Sequence, residues 1–215
     1  MNKPSVRAQV ITRRTYSRPL DDKDEVYETW EQTIDRVIEH QKWLWGRASG
    51  LNPDSTGNPN MITELAELRQ LLLERRVMVS GRTLWLGGTE IAKKREASQF
   101  NCAHLKVETI HDVVDSLWLL LQGCGVGFTP VVGTLSGFTK PIEEVEVIRS
   151  KRIKKGGHEG NRESFDADTG VWTITIGDSA EAWAKSIGKL LAFKGKATKL
   201  VLDLTQLRPA GLRLS

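Results

Sequence analysis

Ser98-Gln99-Phe100-Asn101-Cys102-Ala103-His104-Leu105-Lys106-Val107 and the later Gly123-Cys124-Gly125-Val126-Gly127-Phe128 together hold both cysteines of this 215-residue chain. Asn101 to Val107 reads as a strand with Cys102 near its start. Thr109 or Asp112 then caps a helix whose broad apolar face is Val113, Val114, Leu117, Trp118 and Leu121. The glycine run comes after that helix. A dinucleotide-binding Gly-x-Gly-x-x-Gly follows a strand and opens a helix, so the order here and the misplaced third glycine argue against a Rossmann site. Alternating Gly123, Gly125 and Gly127 suit instead a loop that lets backbone approach a ligand closely.

Downstream, the strand-and-helix alternation recurs. Val145 and Val147 mark a short strand, and residues 149–170 are polar, basic and glycine-containing, as an insertion or flexible loop would be. Trp172 to Ile176 alternates with period two and predicts a strand. Asp178 or Ser179 caps a helix carrying Ala182, Trp183, Ile187, Leu190 and Leu191. Lys199 to Leu204 is the short apolar run of a strand buried on both faces. Strand, helix and buried strand in succession give an α/β class, a barrel or an open sheet.

Upstream the pattern is helical. Residues 1–20 read as an irregular arm. Asp21 or Asp22 offers a cap to an amphipathic helix carrying Val26, Trp30, Ile34, Val37, Ile38, Leu44 and Trp45. Gly46 to Pro59 reads as a loop, and a second helix runs from about Thr63 to Arg76. Ser80-Gly81-Arg82-Thr83 is hydroxyl-rich with an arginine, a type that can hold phosphate. Its composition fits a helix-to-strand turn better.

Composition narrows the function classes. With 39% apolar and 27% charged residues the chain is an ordinary globular one, long enough to hide roughly 70% of its unfolded surface. Its longest apolar runs, such as Leu117 to Leu121, are far shorter than the ~20 residues that span a bilayer. Residues 1–14 lack the apolar segment of a secretory signal, so a cytoplasmic protein with no membrane partner is expected. Two cysteines and four scattered histidines make neither a disulfide framework nor a metal site. The net charge of +4 includes the run Arg149, Lys151, Arg152, Lys154 and Lys155, read as a solvated loop before an anion-binding one. Its aromatics sit at helical core spacing, not interleaved with that run, which weighs against a nucleic-acid binder.

Three segments in order resemble the ribonucleotide reductases, most closely the adenosylcobalamin-dependent (class II) kind that acts on ribonucleoside triphosphates. They are Ser80 through Thr89, Asn101-Cys102 with Gly123 to Phe128, and Leu200 to Leu204 through Arg208-Pro209-Ala210-Gly211. Arg14-Thr15-Tyr16-Ser17-Arg18 with Glu28-Thr29-Trp30 looks like that family's N-terminus. The resemblance covers the whole chain but only the front of the family's longer protein. It implies an N-terminal arm and helical region over residues 1–78. The first half of a ten-stranded α/β barrel then occupies 79–215, incomplete here, with a loop inserted at about 149–170.

It also implies roles. Cys102 would be one half of the redox pair that reduces the ribose, and its partner thiol would come from distant sequence. Cys124, at a glycine-like position of the family's loop, is read as a small packed thiol. Asn101, Ser80 and Thr83 would approach the substrate's ribose and phosphates. Gly123, Gly125 and Gly127 would lie near the nucleotide-effector region. The expected partners are a complementary C-terminal reductase chain that holds most of the adenosylcobalamin, a ribonucleotide substrate, a deoxynucleotide effector and a thioredoxin-like reductant. No metal is expected. Where dimeric relatives place an acidic effector contact this chain has Thr109, with Glu108 and Asp112 nearby. The alternative is a non-catalytic nucleotide-binding or regulatory module.

Overall fold

The computed structural model describes residues 4–21, 23–50, 59–133, 142–149, 157–193 and 195–210. They form two compact units, residues 1–101 and residues 102–215.

The first unit is helical. The expected irregular arm contains helix α1 (Val6–Ile11), capped by Ser5, and a wider π-type turn over Thr12–Tyr16. Helix α2 (Trp30–Ser49) starts later than the aspartates suggested, because Thr29 and Gln32 close a reciprocal capping box. The Asp21 carboxylate instead accepts from the amides of Glu25 and Val26 in a preceding turn, and Asp22 lies outside the described residues. Helix α3 (Pro59–Leu73) follows. The expected turn at Ser80 is itself a helix, α4 (Gly81–Leu86), with Ser80 as its N-cap, and α5 (Glu90–Lys94) comes next. The core joins Ile34 and Val37 of α2 to Leu72 of α3 and Leu84 of α4, so α4 packs into this unit.

Arg36 ties the unit together. Its guanidinium pairs with Glu28 at 2.8 and 3.0 Å and donates to the carbonyls of Leu84, Tyr16 and Gly87. Glu28 also accepts from the Arg18 amide and the Thr33 hydroxyl. Both side chains are largely buried, so each needs the other's charge.

The second unit is α/β. Strand β1 (Cys102–Val107), helix α6 (Ile110–Leu121) and strand β2 (Gly125–Pro130) make a parallel β-α-β unit, with Cys102 level with Gly125 and His104 level with Gly127. Most of the expected glycine loop is therefore strand. Four more strands, β3 (Glu144–Ile148), β4 (Arg162–Asp166), β5 (Val171–Thr175) and β6 (Lys199–Asp203), form a sheet of order β3-β6-β5-β4. Helix α7 (Ala180–Ala192), capped by Ser179, joins β5 to its parallel neighbour β6. Strand β4 runs antiparallel to β5, so part of the predicted insertion is a hairpin; residues 150–156, with most of the basic run, lie outside the described residues. Trp172, Ile174, Ala197 and Leu200 form the core, with Phe193 stacked on Trp172 at 4.0 Å. Alternate residues of β5 are buried, as its period-two pattern predicts.

Candidate active site

Cys102 opens β1 as an exposed free thiol. Cys124 is in no disulfide with it and is only 4% exposed, one residue ahead of β2. Although Cys102 pairs in register with the next residue, Gly125, one thiol faces solvent and the other is packed inside. The packed-thiol reading of Cys124 agrees with this burial.

The residues ahead of Cys102 are held by Arg82. Its guanidinium donates to the carbonyls of Ser98 at 3.1 Å and Phe100 at 2.9 Å. The arginine of Ser80-Gly81-Arg82-Thr83, a segment of a type that can hold phosphate but whose composition favoured a turn, thus fixes the main chain that leads into Asn101, which is exposed. Ser80 and Thr83 come together, their hydroxyl oxygens 2.9 Å apart, and Ser80 accepts the Thr83 amide at 3.2 Å as the cap of α4. Ser80, Thr83 and Asn101 lie in the first unit and Cys102 in the second, joined by the Asn101–Cys102 peptide bond.

The three glycines divide by cause. Gly123 has φ +88°, and it ends α6 in a Schellman turn: its amide bonds the Leu120 carbonyl at 2.9 Å, and the Cys124 amide bonds Leu119 at 3.0 Å. Gly127 sits across from His104, where a Cβ would come within 3.2 Å of the imidazole Cδ2. That imidazole's Nε2 lies 3.3 Å from the Thr129 hydroxyl. Gly125 is exposed beside Cys102.

The acidic group after β1 is already engaged. The Asp112 carboxylate accepts from the Thr109 hydroxyl at 2.8 Å and from the amides of Thr109 and Glu108 at 2.7 and 3.0 Å, which hold its pKa below the ordinary carboxylate range. Glu108 pairs with Lys106 at 2.6 Å.

Sequence reasoning missed the Arg82 tether. Its signal was the arginine two residues after a helix-capping serine, but the carbonyls it reaches are 16 and 18 residues away. It also missed a polar pocket on α2. That pocket carried no spacing signal, because Lys93 joins it from α5.

Residues 4–89 match the family model described as the ribonucleotide reductase alpha domain. The chain is 26% identical to the adenosylcobalamin-dependent ribonucleoside-triphosphate reductase of Lactobacillus gasseri, over 95% of this chain and 32% of that protein. It is 27% identical to the enzyme of the same name from Lacticaseibacillus paracasei, with the same coverages. Its fold matches a crystal structure of a B-12 dependent (class II) ribonucleotide reductase with a TM-score of 0.74 and 21% identity, over 96% of this chain and 33% of that one. Among the described residues no helix is long and apolar enough to cross a membrane. The chain spans about a third of the length of these relatives and is similar, over nearly all of its own length, to the adenosylcobalamin-dependent ribonucleotide reductases.

Proposed function

We propose that this chain serves as the N-terminal part of a ribonucleotide reductase, converting ribonucleoside triphosphates to deoxyribonucleotides by radical chemistry together with a complementary C-terminal reductase polypeptide. The observation that carries the proposal is Cys102: an exposed free thiol at the head of β1, behind a main chain fixed by Arg82. Reduction at the ribose breaks the C2′–O bond and forms a C2′–H bond. The hydroxyl leaves as water, and two thiols supply two electrons and two protons as they close to a disulfide. Cys102 provides one thiol and the complementary polypeptide the other. A thioredoxin-like dithiol then reopens the disulfide by exchange.

In this reading Asn101 and the paired hydroxyls of Ser80 and Thr83 face the ribose and phosphates. The strand-helix-strand units become the first part of a ten-stranded barrel. A deoxynucleotide effector acts near Gly123 to Gly127. Adenosylcobalamin supplies the radical when bound. The apolar groove between α6 and α7, about 460 Å³ and lined by residues such as Leu117, Leu121 and Trp183, lacks the polar groups that a corrin's amide periphery needs. That groove is not assigned to the cofactor, most of whose contacts fall to the complementary polypeptide in this reading.

The test is steady-state deoxynucleotide formation by the reconstituted complex with adenosylcobalamin and a dithiol reductant. Cys102→Ser is expected to lower turnover to background, whereas Cys124→Ser retains it. Normal turnover by the Cys102 variant would sink the proposal.

A further inference from the structure

A pocket of about 220 Å³ lies on the first unit between α2 and the turn into α5, lined by Arg36, Glu39, His40, Lys42, Trp43 and Lys93, with Gly88 at its wall. Gly88 has φ +81°, and a Cβ there would come within 2.7 Å of the Arg36 carbonyl oxygen, so only glycine lets the turn approach α2 this closely. His40 is 2% exposed, and its Nδ1 has no hydrogen-bond partner. A buried polar atom without a partner is costly, and a ligand that supplies the partner recovers that cost.

Charge at the pocket is mainly positive. Arg36 is engaged by Glu28 and three carbonyls, so it forms a fixed cationic wall. Lys42 and Lys93 hold only loose pairs along their own helices, 4.0 Å to Glu39 and 3.6 Å to Glu90, which leaves their ammonium groups able to turn inward. Glu39 is the single carboxylate on the lining, and its side chain is 72% exposed at the rim. Burial, with Lys93 and Arg36 nearby, pushes the His40 pKa down, so its imidazole is neutral and can donate one N–H. The Trp43 ring is stacked against His40 on one side of its environment and carries the Arg47 guanidinium 4.8 Å from its centroid, which holds the aromatic wall in place.

We infer that this pocket binds a phosphoryl group, received by Lys42, Lys93 and the His40 imidazole N–H. The volume admits a phosphate with a few attached atoms and falls short of a whole nucleoside triphosphate. The inference does not depend on the reductase reading.

Calorimetric titration of the full chain with inorganic phosphate, and separately with adenosine 5′-monophosphate, at fixed ionic strength tests it. Saturable one-site binding is expected. The Lys42→Ala/Lys93→Ala double variant should bind at least about tenfold more weakly, the equivalent of about 1.4 kcal/mol. A control pair on the other unit, Lys185→Ala/Lys196→Ala, removes the same charge and should bind as the unsubstituted chain does. His40 imidazole nitrogen resonances should move on phosphate addition. Tighter binding of the monophosphate identifies a nucleotide source, and equal or tighter binding of phosphate identifies the free ion; either supports a phosphoryl site. Absence of saturation with both probes overturns the inference, as does equal weakening in the control pair or equal affinity in the Lys42/Lys93 variant.

Discussion

Glu28 and Arg36 set the pH behaviour of the first unit. Burial alone would raise the Glu28 pKa, but the Arg36 guanidinium, the Arg18 amide and the Thr33 hydroxyl together hold it below the usual carboxylate value. A carboxylate with a depressed folded pKa contributes stability that is present above its unfolded pKa, near pH 4.5, and lost as pH falls through the folded value. Urea unfolding should therefore show the chain losing stability below about pH 4.5, and Glu28→Gln should make that acid limb shallower. At neutral pH Glu28→Gln should cost about 3 kcal/mol, because it leaves Arg36 buried without its counter-charge. A variant as stable as the parent at pH 7 would contradict the hub described for Arg36.

At the scale of elements, helix α6 ends where Gly123 turns left-handed, and β2 begins two residues later with Gly125 level with Cys102. Gly123→Ala places a Cβ in the left-handed region and should lower stability by about 1 kcal/mol in thermal unfolding, with Gly123→Asn costing less. The elements also show what sequence could and could not give. Helix α6, strand β5, helix α7 and strand β6 were legible, because their apolar spacing and capping residues agree with their burial. The start of α2 was not. Two aspartates stood in good capping positions, and only the reciprocal Thr29–Gln32 pairing decides between them and Thr29. The glycine run read as a loop because glycine disfavours strands. The two-stranded pairing with β1, a long-range contact, overrides that preference. Of the candidate site, the place of Cys102 near the start of a strand was readable. Arg82's role was not, since its carbonyl acceptors carry no side-chain signature.

For the molecule as a whole, the second unit rests on one aromatic centre. Trp172 is 1% exposed, stacks on Phe193 and donates its indole N–H to Glu163 at 2.9 Å. Trp172→Ala should cost about 3–5 kcal/mol, while Trp172→Phe keeps most of the packing and should cost less than half as much, both measured by chemical denaturation. The sheet order β3-β6-β5-β4 carries a consequence for synthesis. Strand β3 is made first yet pairs with β6, the last of the four, about 55 residues later in the chain. At about 5–20 residues per second the ribosome leaves β3 unpaired for about 3–11 s. During that interval Val145 and Val147 stand on a strand with both edges open, and Glu144 and Glu146, which later pair with Lys199, give it the like charges that discourage association with other nascent chains.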